Sequence, residues 1–301
     1  MRKGEDTVLI RDMLLAALAT AIWGFGFVAA RFGLESFSAM QMTALRFLVI
    51  AVFIVIVPRP RLPWSTLIAI GATLFTGQFV LLFLAFTHGM PPGLASVSQQ
   101  IQAFFTVLLS AVFLRDMPGA RQLIGMGIAF AGLALIAMTV DANLSLVGLG
   151  LAVAAAFSWA VGNVLVKRAP TVPMLPLVIW CSLVPPLPTL LFSSIFDQQS
   201  IVEASLNASW LSIAAVIYSG FLGIAVAYAA WGYLLQRYPA AAVAPFALLT
   251  PCVGVVASKL IFGEVFSPAR YAGMVLILCG LAIIVLPLQH MKTLIMARRW
   301  R

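Results

Sequence analysis

The sequence predicts an all-α integral membrane protein: ten transmembrane helices arranged as two five-helix repeats of inverted topology. Three observations carry this. Hydrophobic runs long enough to cross a bilayer fill the chain almost from end to end, and 63% hydrophobic against 9% charged residues over 301 positions is not the balance of an ordinary soluble domain. The second half rhymes with the first: ATAIWGFGFVAARFG and LAVAAAFSWAVGNVLVK align Trp23 with Trp159, Gly26 with Gly162 and Arg31 with Lys167, a shift of 136 residues. RDMPGARQLIGMGIAFAGLALI and GEVFSPARYAGMVLILCGLAII then align Asp116 with Glu264, Gly125 with Gly273 and Gly132 with Gly280, a shift of 148. Finally, the basic residues are distributed unevenly about the predicted spans.

A spanning helix needs roughly 20 mostly apolar residues. Read that way, the spans fall near 12–32, 39–58, 64–87, 93–114, 119–139, 146–168, 174–195, 210–235, 240–262 and 267–287. The runs are too long for barrel strands and do not alternate. The first has acidic flanking residues (Glu5, Asp6, Asp12) and a long apolar stretch, so it is not read as a cleaved signal peptide. The second contains Arg46, read as snorkelling to the outer interface or bonding helix-end carbonyls. The third carries Gln78 and ends at His88, an ordinary loop histidine without ligand partners.

The fourth, GLASVSQQIQAFFTVLLS, is the most polar. Ser96, Gln99, Gln102 and Thr106 recur at helical spacing on one face, with Gln100 beside them. Neutral amides offer both donors and acceptors, and can hold an ammonium and a carboxylate without burying a fixed charge. They can equally tie helices together; Gln99 and Gln102 are the candidates for substrate contact. Gly125 and Gly127 on the fifth span, Gly148 and Gly150 on the sixth, Gly220 and Gly223 on the eighth, and the stripe Ala154, Ser158, Gly162 read as surfaces for close helix packing.

On the sixth span Trp159 and Asn163 share a face. Trp23 holds the equivalent place on the first, and both tryptophans lie too deep to be headgroup anchors. They are packing residues or an aromatic wall able to attract an ammonium. Pro185, Pro186 and Pro188 bend the seventh span, and Pro245 and Pro251 the ninth. Tyr228 and Trp231 add polar-aromatic groups on the eighth. Cys181, Cys252 and Cys279 fall inside spans, too far apart for a metal site, and read as buried thiols.

Five spans per repeat is an odd number, so the second repeat enters the membrane from the opposite side. The repeats are 1–141 and 142–301, the latter with a basic tail, and the break falls around 139–145. The 12-residue excess of the second repeat is assigned to the loop DQQSIVEASLNASW. With the N-terminus in the cytoplasm, 14 of the 18 Lys/Arg lie inside and three outside (Arg31, Lys259, Arg270), with Arg46 in a span. That is the positive-inside signature; it places both termini in the cytoplasm and explains a net charge of +9 without a nucleic acid. The tail KTLIMARRWR is expected along anionic headgroups.

Absences narrow the function. The nine acidic residues all fall at or beyond span ends, so no carboxylate at mid-depth is available to carry a proton. No phosphate-binding GxxxxGK[ST] loop, nucleophile–base pair or metal-ligand cluster is visible, so no cofactor and no enzymatic activity are expected. Duplicated halves of this kind place a substrate site where the repeats meet.

The segments WGFGFVAARFG, ALRFLV, HGMPPGLASVSQQIQAFFTVLLSAVFLRD, AAAFSWAVGNVLVKR and VAPFALLTPCVGVVAS resemble the EamA-like ten-helix branch of the drug/metabolite transporter superfamily. The third and fourth are most similar to bacterial O-acetylserine/cysteine exporters; related aromatic amino acid exporters remain open. The resemblance spans about 12–138 and 148–287. It implies export of amino acids or related metabolites across the bacterial inner membrane, by alternating access of the two repeats. It also implies a central cavity lined by the first, third, fourth, sixth, eighth and ninth helices. Those helices carry the eight candidate substrate contacts: Trp23, Gln78, Gln99, Gln102, Trp159, Asn163, Tyr228 and Trp231. The first helix lacks the embedded glutamate of the small four-helix drug exporters, which argues against proton-coupled multidrug antiport and leaves facilitated diffusion or coupling by another route. Nucleotide sugars would need cavity-facing cations, for which Arg46 alone is available. A lipid-modifying enzyme would need an interfacial catalytic cluster, and none is found. The expected partners are a small-molecule substrate and the lipid bilayer; oligomeric state is left open, a monomer included.

Overall fold

A computed structural model describes residues 9–115, 117–139, 144–170, 172–238 and 243–285. The predicted break between repeats (largely 140–143), Asp116 and the basic tail lie outside the described residues. Eleven helices are numbered here, and no strand occurs among the described residues. Seven helices are long and apolar enough to cross a membrane: α1 (Ile10–Gly33), α3 (Trp64–Thr87), α4 (Pro92–Leu114), α5 (Ala120–Ala137), α6 (Leu146–Arg168), α7 (Met174–Phe196) and α9 (Trp210–Leu234, helical on to Arg237). Three shorter apolar helices are α2 (Ala39–Val55), α10 (Phe246–Phe262) and α11 (Pro268–Val285). Each falls within a few residues of a predicted span, except that α10 starts later than expected. The short α8 (Ile201–Asn207) occupies the loop to which the excess residues were assigned and is closed by a capping box from Ser200 and Glu203.

The outside of the bundle is apolar. Leu18, Val112, Leu187, Ile217, Leu260 and Val275 are all exposed on helices. In water such a surface would be an aggregation hazard; against lipid it is the matched solvent. Two of the three predicted buried cysteines belong to this surface. Cys181 is buried, but Cys252 and Cys279 are exposed, because hydropathy cannot separate a lipid-facing position from a core one.

Matching features recur in the two halves. The helix α3 contains a π-helical segment, Gly71–Gly77, and α9 another, Tyr218–Val226. The helix α4 is interrupted at Gln99–Gln100, and a 3₁₀ turn, Ala244–Leu248, leads into α10. α4 and α10 both end on a left-handed residue, Arg115 (φ 56°) and Gly263 (φ 65°), which the 148-residue shift makes equivalent. Arg115 is the one non-glycine residue with positive φ among the described residues.

The glycines explain how closely the helices approach. A Cβ on Gly132 would lie 2.6 Å from the Gly273 carbonyl oxygen, and one on Gly280 would lie 2.4 Å from the Gly125 carbonyl oxygen. Gly125 and Gly132 of α5 therefore meet Gly280 and Gly273 of α11 crosswise. These are the positions that the 148-residue shift aligns with one another. Ser158 and Gly162 of α6 pack on the π segment of α3: Ser158 Oγ donates to the Thr73 carbonyl (2.7 Å), and a Cβ on Gly162 would meet Leu74. Proline ends the first half of α7, where the chain turns at 182–185 and Pro186 opens the next helical stretch.

Candidate functional site

A cavity of about 330 Å³ lies in the middle of the bundle. All eight predicted side chains line it: Trp23 from α1, Gln78 from α3, Gln99 and Gln102 from α4, Trp159 and Asn163 from α6, and Tyr228 and Trp231 from α9. The helix α10 contributes Ala247 and Thr250. Two helices not expected at the wall add one residue each, Arg46 from α2 and Met174 from α7.

One wall is aromatic. The Trp23 indole packs edge-on against Tyr228 (centroids 5.2 Å apart) and Trp231 (5.3 Å), and its Nε1 donates to the Gly223 carbonyl (2.9 Å). Trp159 lies 6.5 Å from Phe79 on another side. Gly26 also lines the cavity, and no atom lies within 4 Å of where its Cβ would stand. A side chain there would take up cavity space, whereas its sequence equivalent Gly162 is fully packed.

The polar groups come mainly from the break in α4. Gln99 Nε2 donates to the Ala152 carbonyl of α6 (2.8 Å), which fixes the amide and leaves Oε1 buried without a donor. The amide oxygens of Gln78 and Gln102 are likewise buried and unpartnered. Asn163 Nδ2 donates to Thr106 Oγ1 at 3.3 Å, joining α6 to α4. The predicted polar face of α4 does not run straight. Because the helix breaks at Gln99–Gln100, Ser96 turns away and donates to the Gly93 and Pro251 carbonyls, with Gly254 packed on it. Thr106 is bonded to the Gln102 carbonyl and to Asn163. Gln100, expected beside the face, lines the cavity.

Arg46 is the residue that sequence reasoning misplaced. It does not snorkel: it is 7% exposed and lines the cavity. Its Nη2 donates to the Ser219 carbonyl (3.1 Å), in the π segment of α9 rather than at a helix end, and its guanidinium lies 3.8 Å from the Phe79 ring centroid. The signal was present in the sequence, as a lone cation well inside an apolar span.

Side-chain contacts join the helix ends on one side of the bundle. There Ser212 Oγ donates to the Phe32 carbonyl (2.8 Å), Ser36 Oγ donates to Ser212 Oγ (2.9 Å), and Phe32 meets Phe262 with centroids 5.1 Å apart. The Gly93 amide donates to Ser258 Oγ and Glu264 Oε2, both at 3.1 Å. Burial raises the Glu264 carboxyl above the usual carboxylate range, against the hydrogen bonds from Ser258 and Gly93 and the charge of Arg31. At the other end the cavity reaches Met174, the first residue of α7, and α1 is held to the end of α9 by Tyr238 Oη donating to Asp12 (2.6 Å), with Arg237 3.6 Å from the same carboxylate. Among the described residues no cluster of three metal-ligating side chains occurs.

An apolar helical bundle enclosing a polar and aromatic cavity defines a polytopic membrane protein with a central pocket. The sequence profile of the EamA-like transporter family matches residues 11–138 and again 146–286, and the chain belongs to that family. It is 37% identical over 281 residues to a Salmonella typhimurium protein named "probable amino-acid metabolite efflux pump", covering 91% of this chain and 94% of the relative. An Escherichia coli K12 protein of the same name is 36% identical over 290 residues, covering 94% and 97%. A solved crystal structure superimposes with a TM-score of 0.61 over 91% of this chain and 96% of the other at 18% identity, a likeness of fold alone. As a member of this family the chain is a multi-pass membrane transporter rather than an enzyme.

Proposed function

We propose that this chain is an inner-membrane exporter of amino acids or related small zwitterionic metabolites, such as O-acetylserine and cysteine. One observation carries the reading: eight side chains drawn from both halves of the sequence converge on one cavity of about 330 Å³. That volume is at the small end of ligand sites and suits a solute of amino-acid size. Unpartnered amide oxygens offer acceptors to an ammonium, and the aromatic wall offers ring faces. The names of the two relatives point the same way.

The mechanism is alternating access. Ten spans form two five-helix repeats, 1–141 and 142–301, of inverted topology, which rock about the cavity. The paired π segments, the paired left-handed caps and the crosswise glycine contacts support that architecture. Both termini are cytoplasmic by the charge distribution. The end with Phe262 and Glu264 then faces outward, and the Met174 end faces the cytoplasm. Among the described residues no carboxylate lines the cavity, so transport proceeds down the substrate gradient without an obligatory proton.

The test is transport by purified protein in proteoliposomes with a panel of amino acids, with and without a pH gradient. Equilibration of O-acetylserine or cysteine without an imposed gradient is expected. Failure of every amino acid would end the reading, and concentrative transport that vanishes with a protonophore would overturn its energetics. The cluster of Trp23, Tyr228 and Trp231 favours a second reading, aromatic amino acids as cargo, and the same panel separates the two.

A further inference from the structure

Arg46 is a cation held in the interior of an apolar bundle. Among the described residues no carboxylate pairs with it. A guanidinium carries five N–H donors. One reaches the Ser219 carbonyl, Nε is buried without an acceptor, and no other hydrogen bond from the side chain exists among the described residues. Phe79 takes the face of the guanidinium, at 3.8 Å from its ring centroid, which leaves the N–H edge for in-plane acceptors. A carbonyl and a ring face do not balance a full charge away from water, and charges in spans are costly unless they meet a partner. The side chain lines the cavity.

We infer that Arg46 binds the carboxylate of the transported solute, and that a free carboxylate is what the protein requires of its cargo. This rests on the cavity being the transport site. The unmatched groups are chemically complementary: the Oε1 atoms of Gln99 and Gln102 lack a donor, and Arg46 Nε lacks an acceptor. An α-amino acid supplies both. A simple amine would leave the guanidinium unmatched, whereas a simple acid would leave only neutral amides unmatched, and the second omission is the smaller.

The order of preference is testable with two halves of cysteine. 3-Mercaptopropionate keeps the carboxylate and lacks the ammonium; cysteamine keeps the ammonium and lacks the carboxylate. Each is titrated into detergent-purified protein, with binding read from the fluorescence of the cavity tryptophans. In the wild-type chain 3-mercaptopropionate should bind at least about tenfold more tightly than cysteamine, a difference of about 1.4 kcal/mol. Arg46→Gln should abolish the preference, and Arg46→Lys should retain part of it. Equal binding, tighter binding of cysteamine, no binding of the acid, or a preference surviving in Arg46→Gln would each overturn the assignment. The comparison within the wild-type chain holds even if the variants fold poorly. Counterflow of labelled L-cysteine in proteoliposomes runs in parallel. Carboxylate preference without transport of any amino acid would defeat the export reading alone, and transport inhibited equally by both analogues would defeat the Arg46 assignment alone.

Discussion

Gln102 separates a binding role from a structural one. Among the described residues its side-chain amide makes no hydrogen bond, and its Oε1 is buried. A buried acceptor left unmatched is destabilising by about 1–3 kcal/mol. Gln102→Met keeps the length of the side chain and removes the unmatched atom, so the variant should melt at the same temperature as the wild type or higher. If Oε1 accepts from the substrate's ammonium, the same change removes a hydrogen bond to a charged group, about 1.5–3 kcal/mol, or roughly 10–150-fold in transport efficiency. Gln99 provides the contrast. Its bond to the Ala152 carbonyl at 2.8 Å joins α4 to α6, so Gln99→Ala should lose about 1 kcal/mol of stability as well as transport. Melting is followed by size-exclusion chromatography of heated samples, and transport by initial-rate counterflow normalised to folded protein. Gln102→Met that transports at the wild-type rate, or that melts well below it, would refute the argument.

Trp159→Ala should reduce transport per folded molecule more than Trp180→Ala, because Trp180 bonds the Val57 carbonyl (2.9 Å) and meets Trp64 away from the cavity; equal losses tracking abundance would make Trp159 a packing residue. Gly132→Leu should destabilise the bundle by about 1–3 kcal/mol, since even a Cβ there falls 2.6 Å from backbone, while Gly127→Leu, with open space around it, should melt as the wild type does. Burial raises the Glu264 carboxyl, so the stability it lends is fully present below the ordinary carboxylate range and is lost as pH rises through its raised value. Glu264→Gln keeps an acceptor for Gly93 and should flatten melting temperature against pH across that window; an unchanged slope would show that Glu264 does not control it. In a background without Cys181, Cys252 and Cys279, an impermeant thiol reagent on intact cells should label Ser200→Cys and not Arg61→Cys, and the reverse would invert the orientation.

The sequence by itself determined the class and the rhythm of the chain. A run of apolar residues in lipid has to satisfy its backbone internally, so composition and run length alone dictate helices and locate them to within a few residues. Internal repetition then named residues that the fold brings together: Trp23 and Trp159 line one cavity, and the glycines of α5 meet those of α11. What the sequence could not decide is direction around each helix. Lipid and protein interior are equally apolar, so Cys252 and Cys279 read as buried and face outward. A break without proline gives no local signal, so Ser96 reads as sharing a face with Gln99 and Gln102, although it lies before the turn at 99–100 and bonds the Pro251 carbonyl of α10. Arg46 depended most on the tertiary structure. A long side chain part-way along a span can reach either the interface or the interior, and only the packing of Phe79 and the carbonyl of Ser219 across from α2 decides that it points inward.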